Sequence, residues 1–280
     1  MEKEKDSSWF SAGAAAVGAA VGTGIGAVVG GPVGAAGGAA LGSLIQSTFQ
    51  WIGKEIKERQ LSKQEEKKNG TVYELAKAKI DENIKAGKRI RNDEFFVSNN
   101  DERSSAEEIT EETLFAAQRE SEEKKIPFIA NLYANCFFDE ELDSSLIFQL
   151  LRMAEHITYR QLQILAVIGG FQLSAKEVGG TPFRASQCKE LFGYKSISIA
   201  TDIFELYRMG LLQSKSIILD IPGFTPADLS VGGCGALLYN HMELSTMPFD
   251  ASTIEIVQLL CDKPVVEYGP HRITLKKDRS

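Results

Sequence analysis

The stretch VGAAVGTGIGAVVGGPVGAAGGAALG, residues 17–42, carries glycine at every fourth position: Gly18, Gly22, Gly26, Gly30, Gly34, Gly38 and Gly42. No Asp, Glu, Lys or Arg stands between Asp6 and Lys54. Residues four apart are neighbours on one face of a helix. The spacing therefore predicts a bare glycine row, flanked by the row Val17, Val21, Ile25, Val29, Val33, Gly37 and Leu41. Such a row lets a second backbone approach closely, which is how helices associate in hydrocarbon. A repeat of four exceeds the helical period of about 3.6, so the stripe drifts and favours right-handed crossings.

Pro32, after Gly30 and Gly31, removes a backbone donor and clashes with the preceding turn. A hairpin turn at Gly31 and Pro32 divides the run into two halves of roughly 20 residues, the length that crosses a bilayer core. Trp9 and Phe10 at one end, and Phe49 and Trp51 at the other, then return to the same interface as an aromatic belt. Lys54 and Lys57 follow directly, with Lys3 and Lys5 at the front, so the positive-inside rule sets both termini in the cytoplasm. Strongly inserting residues are few and supply roughly 3 to 5 kcal/mol. Insertion is accordingly expected to depend on assembly or a trigger. A permanent two-helix anchor and a Gly/Ala hairpin packed in water on the chain's own domain are the competing expectations.

The 280 residues and net charge of −7 leave room for a sizeable core behind the hairpin and argue against a general nucleic-acid surface. Cys136, Cys188, Cys234 and Cys261 show neither CxxC nor Cys/His spacing and are expected as reduced core thiols. Residues 54–125 are strongly charged, with Val72, Leu75, Ile80 and Ile84 at an approximate helical period, and predict solvated connector helices with a mobile loop near 97–105. From 126 the pattern is globular. Phe128, Ile129, Leu132, Tyr133, Cys136 and Phe137 form one stripe behind Pro127, and Leu146, Ile147, Leu150 and Leu151 a second. Thr158 is placed to cap a third helix bearing Leu162, Leu165 and Ile168.

Catalytic and cofactor signatures are missing from the sequence. His156, His241 and His271 stand in unrelated contexts, and no GxSxG, Walker or HExxH pattern occurs. Gly22, Gly24 and Ala27 imitate a loose dinucleotide loop, but no strand precedes them. Gly232, Gly233 and Gly235 are expected to open a helix with Leu237, Leu238 and Met242 inside, an N-terminus open to anion binding. No enzyme activity, metal or cofactor is expected.

The segment SQCKELFGYKSISIATDIFELYRMGLLQ, residues 186–213, predicts a short helix over 188–192 closed by Gly193 and a second over 199–209 capped by Ser196 or Ser198. Gly210 ends the second helix, and strands follow at 211–212 and 217–221. This order resembles bacterial winged-helix modules. The second helix carries Asp202 and Glu205 against Arg208 alone, so direct reading of duplex DNA is not expected. A protein or small ligand is the more fitting partner.

The fold class expected is mainly α. A glycine-zipper transmembrane hairpin over 9–53 precedes a charged helical connector over 54–125 and a helical, winged-helix-like α+β cytoplasmic domain over 126–280. The whole resembles the two-helix membrane effectors of bacterial anti-phage systems, those of retrons and related abortive-infection loci. The resemblance implies an inner-membrane protein held inactive by a sensor partner, for a retron a reverse transcriptase with its RNA–DNA product. On release, hairpins would self-associate and disrupt the lipid bilayer. The alternative is a membrane-anchored regulator or docking protein whose second domain binds a protein or nucleic acid.

Overall fold

The computed structural model describes residues 62–97, 103–178, 183–188, 193–261, 265–269 and 272–275. The hairpin expected over 9–53, with its glycine row, its turn at Gly31 and Pro32 and its anchors Trp9, Phe10, Phe49, Trp51, Lys54 and Lys57, lies outside these. What is described is mainly helical and falls into two units, Met1–His156 and Ile157–Ser280.

In the first unit, α1 (Lys63–Lys85), α2 (Ser105–Arg119), α3 (Ile126–Cys136) and α4 (Ser144–His156) pack together, with α1 lying along α3 and α2 along α4. Capping boxes start α1 and α2: Ser62 and Glu65 exchange bonds, as do Ser104 and Glu107. Pro127 lies in the first turn of α3, where its missing N–H costs nothing.

The charged segment is not a solvated connector throughout. Val72, Tyr73, Ala76, Ile80 and Ile84 recur at helical spacing and are buried in the core of this unit, leaving charge to the other face of α1. Phe95 and Phe96, on a 3-10 turn over Glu94–Phe96, join Tyr133 and Phe137 in a cluster with centroids 5.0 to 5.8 Å apart. The loop expected near 97–105 lies partly outside the described residues.

The second unit is built around α5 (Tyr159–Val178). Thr158 and Gln161 form its capping box, and every residue from 161 to 169 is buried, as befits a helix with neighbours on all sides. Around it lie α6 (Gly193–Arg208), β1 (Leu212–Ser214), β2 (Leu229–Val231), α7 (Cys234–His241) and α8 (Ala251–Leu260). A second hairpin, β3 (Val265–Gly269) and β4 (Arg272–Leu275), follows α8. Gly210 (φ +73°) closes α6 with two bonds, from its own N–H to the Tyr207 carbonyl and from the Leu211 N–H to the Leu206 carbonyl, both 3.0 Å.

Two expectations are corrected. No helix among the described residues is long and apolar enough to cross a membrane, so the fold described here contains no transmembrane helix. At 20 residues α5 has the length, but Arg160, Gln161, Gln163, Gln172, Lys176 and Glu177 lower its hydropathy.

The winged-helix order also fails. α6 begins at Gly193 instead of 199, and Ser198 lies inside it with its Oγ donating to the Lys195 carbonyl at 2.9 Å. Residues 217–221 form no strand; β1 pairs antiparallel with β2 instead, Gln213 opposite Ser230. The pairing is set beyond the strand ends, where the Lys215 N–H reaches the Asp228 carbonyl at 3.2 Å and the Ser216 hydroxyl its carboxylate at 2.9 Å. The intervening loop is then pinned by the buried Ile218, Phe224 and Pro226.

Candidate functional site

In the second unit, α6 presents three different surfaces. Its inner side, Ile199, Ala200, Ile203 and Leu206, is core. Its carboxylates are engaged by α5: Arg160 Nε donates to Asp202, and Gln161 Nε2 donates to Asp202 Oδ1 at 3.3 Å and Glu205 Oε2 at 2.9 Å. A helix whose acids are needed to hold its neighbour has no surplus of cations for phosphates.

The third surface is apolar. Tyr194 is 94% exposed and Ile197 46%, three residues apart and so on one side of the first turns of α6. Lys195, between them, forms an ion pair with Glu255 of α8, whose neighbour Ile254 is 40% exposed. The ion pair is largely solvent-exposed and links the first turn of α6 to α8, the two helices that carry these side chains.

The glycine cluster is structural rather than a cradle for an anion. A Cβ on Gly235 would stand 1.9 Å from the Leu211 carbonyl oxygen, and one on Gly232 would enter the Gln213 side chain. The N–H groups of Gly235, Ala236 and Leu237 all bond to the carbonyls of Gly232 and Gly233. Leu238 and Met242 are fully buried as expected for the inner side of α7, while Leu237 is half-buried.

The first unit contains a cavity of about 950 Å³ bordered by Arg91, Asp93, Arg103, Glu108 and Asp143. Its cations are already committed. Arg91 forks onto Asp93, donates to the Cys136 carbonyl at 3.2 Å and stacks on Phe95 at 4.2 Å. The hydrogen bond from Arg91 holds the Asp93 carboxyl below its usual range. Arg103 is bound to Glu111, whose hydrogen bond raises the guanidinium further.

The remaining chemistry-bearing residues stay apart. His156 holds the Arg152 carbonyl through Nδ1 at 2.9 Å, His241 ends α7, and His271 lies outside the described residues. All four cysteines are free thiols, three of them buried. No group of three or more His, Cys, Asp or Glu in metal-binding proximity occurs among the described residues. Sequence reasoning missed the Tyr194, Ile197 and Ile254 junction. Its signal was an apolar pair at i, i+3 ahead of the inner stripe of α6.

Comparison of the chain with protein-family models, with curated proteins and with solved structures returns no match. With no relative that is a defence effector and no membrane-crossing helix among the described residues, the resemblance to two-helix anti-phage effectors is withdrawn, together with its antiviral, retron, toxin-like and winged-helix attributes.

Proposed function

We propose that the chain acts by binding, as a docking protein, and that it holds a protein partner on the junction of α6 with α8. The observation carrying this is the exposure of Tyr194, Ile197 and Ile254 around the Lys195–Glu255 ion pair. An exposed aromatic with aliphatic neighbours and a charged rim is the usual composition of a protein-binding hot spot. Nucleic acid fits this face less well, because the carboxylates of α6 balance its cations and the whole chain carries −7.

The partner chemistry follows from the face: an apolar pocket for the Tyr194 ring, rimmed by both signs of charge. A photo-reactive phenylalanine analogue at position 194, introduced in cells, should cross-link one protein. Purified, that protein should bind the intact chain and bind Tyr194→Ser about 30-fold more weakly, the equivalent of roughly 2 kcal/mol for a hot-spot tyrosine. The melting temperature of the variant should stay unchanged. Equal affinity for intact chain and variant, or stronger anisotropy changes with duplex DNA than with any protein, would overturn the reading.

A further inference from the structure

Asn69 is followed by Gly70, the one Asn-Gly step in the chain. It lies in the second turn of α1, with 1% of its surface exposed. Among the described residues neither its Nδ2 nor its Oδ1 finds a hydrogen-bond partner. A buried amide in that state disfavours the folded chain.

The same stretch forms helix poorly by residue type. Asn69, Gly70, Thr71 and Val72 stand in a row, and all four have low helix preference, glycine the lowest. Tertiary contacts hold it helical. Val72 and Tyr73 are buried, and Lys68 donates through Nζ to the carbonyls of Gln118 at 3.2 Å and Glu120 at 2.5 Å.

Asparagine before glycine has a chemistry of its own. The glycine nitrogen attacks the side-chain Cγ, and a new C–N bond closes a five-membered succinimide. The side-chain nitrogen leaves as ammonia, carrying off the proton of the attacking N–H. Water then opens the ring at one carbonyl to give aspartate, or at the other to give isoaspartate, in which the main chain runs through the side-chain carbons. Glycine is the most permissive follower, because it has no Cβ to crowd the attack.

A closed helix withholds both reactants. The Gly70 N–H is turned to the carbonyl four residues back. Ring closure also needs the Gly70 nitrogen eclipsed with the Asn69 Cβ, which the helical ψ of about −42° forbids.

We propose that Asn69 and Gly70 form a deamidation site gated by the folding of α1. Conversion is blocked while the helix is closed, proceeds when its first turns open, and makes that opening irreversible. Aspartate at 69 puts a charge where a buried amide has no hydrogen-bond partner. Isoaspartate lengthens the main chain by one carbon inside the helix. The Lys68 clasp on the end of α2 and the burial of Val72 and Tyr73 then fall out of step. Chemical change that outruns refolding is a general route to irreversible unfolding. The site lies in the first unit and is independent of the docking role proposed for the second, so each fails without the other.

The test holds the full chain for equal times, at one temperature and pH, in native buffer and in denaturant. Mass spectrometry follows the peptide carrying Asn69, and isoaspartyl methyltransferase with a labelled methyl donor reports isoaspartate. Conversion at Asn69 should be about a hundredfold slower in native buffer, as the rarity of a locally open state dictates. In denaturant it should outrun conversion at Asn92 and Asn240, which are followed by Asp93 and His241.

Ion exchange then separates converted chains, which carry one more negative charge, from unconverted ones. After removal of denaturant the converted chains should melt several degrees lower or fail to refold. Gly70→Ala should convert severalfold more slowly in denaturant and keep its refolding yield, measured against its own unincubated sample. Equal Asn69 rates in the two buffers would overturn the inference. So would equal melting temperatures for converted and unconverted chains, or a Gly70→Ala yield that declines as fast as that of the intact chain.

Discussion

The carbonyl oxygen of Leu211 and the Cα of Gly235 are in such close approach that a methyl group on the glycine would lie 1.9 Å from that oxygen. Leu211 is also the residue whose N–H closes α6. One backbone unit therefore ends a helix with its donor side and receives the next helix, α7, on its acceptor side. Neither backbone has a flexible end to yield, so Gly235→Ala should cost about 3 kcal/mol, the upper range for overpacking. Calorimetry of the intact chain would show it as a lowered transition.

Two adjacent glycines of α5 should respond with opposite signs. A Cβ on Gly169 would enter the Tyr239 ring at 2.4 Å, while one on Gly170 meets only the Tyr239 hydroxyl, at 4.0 Å. Gly170→Ala should stabilise by about 0.5 to 1 kcal/mol, the helix preference for alanine over glycine. Gly169→Ala should destabilise by about 1 to 3 kcal/mol. Thermal melts of the two single variants decide it.

Asp250 caps α8 and ties it to α5. Its Oδ1 accepts from the N–H groups of Ser252 and Thr253, both at 3.1 Å, and from Gln163 Nε2 at 2.9 Å. Burial, the largest influence, pushes its pKa up, but the donors from Thr253, Ser252 and Gln163 together bring it below the usual range. The sign follows: a depressed carboxyl stabilises fully above its unfolded value, about 3.9, and loses that contribution as pH falls through the folded value. Asp250→Ala should cost about 1 to 2 kcal/mol at neutral pH, and its deficit should close progressively below pH 4 in acid melts.

Glu120 and Lys125 form an ion pair of 2.5 Å with both side chains at least 95% buried. Lys125 also donates to the Glu155 carbonyl at 3.0 Å, and Lys68 to the Glu120 carbonyl at 2.5 Å. Removing one buried charge strands the other, so Glu120→Gln should destabilise by about 3 to 5 kcal/mol. Arg119, half-exposed and bridging Glu112 and Glu155, should cost at most about 1 kcal/mol as alanine. Chemical denaturation of both variants reads the contrast.

The Cys136 thiol is fully buried and pushed up to about 12 by that burial. It stays protonated and shielded at neutral pH, as the reactive form is the thiolate. Labelling of the native chain with a colourless-to-yellow thiol reagent should proceed at Cys234, with Cys136, Cys188 and Cys261 released only on unfolding. Mass spectrometry of the labelled peptides identifies the sites.

Much of the helical structure was legible in the sequence because it rests on local chemistry. Pro127 at the head of α3, the Thr158 cap of α5 and the Gly210 stop of α6 each depend on a single residue type with a strong backbone preference. The buried stripes of α3, α4 and α5 were equally plain. What misled was any feature decided by a distant partner. The aliphatic run Ile217, Ile218, Leu219 and Ile221 looked like a strand, but the partner of β1 lies further on, at Leu229–Val231, and the segment between them is loop. Lys68 and Lys125 looked like a wet face because their burial depends on distant carbonyls, that of Glu120 for Lys68, 52 residues away, and that of Glu155 for Lys125, 30 residues away. The apolar junction of α6 with α8 stayed hidden for the same reason: Lys195 and Glu255 are 60 residues apart.

The Asn83 to Asn135 hydrogen bond, 2.8 Å long and buried, joins residues 52 apart, and α1 finds most of its core on α3. A ribosome adding about 5 to 20 residues per second would need roughly 3 to 10 seconds to deliver Asn135 after Asn83. For that interval Val72, Tyr73, Ala76 and Ile80 lack α3, the larger part of the surface they close on. The nascent chain thus passes through a stage in which its first described helix is a sticky, half-dressed amphipath, and chaperone demand during synthesis should peak there and fall once α3 has emerged.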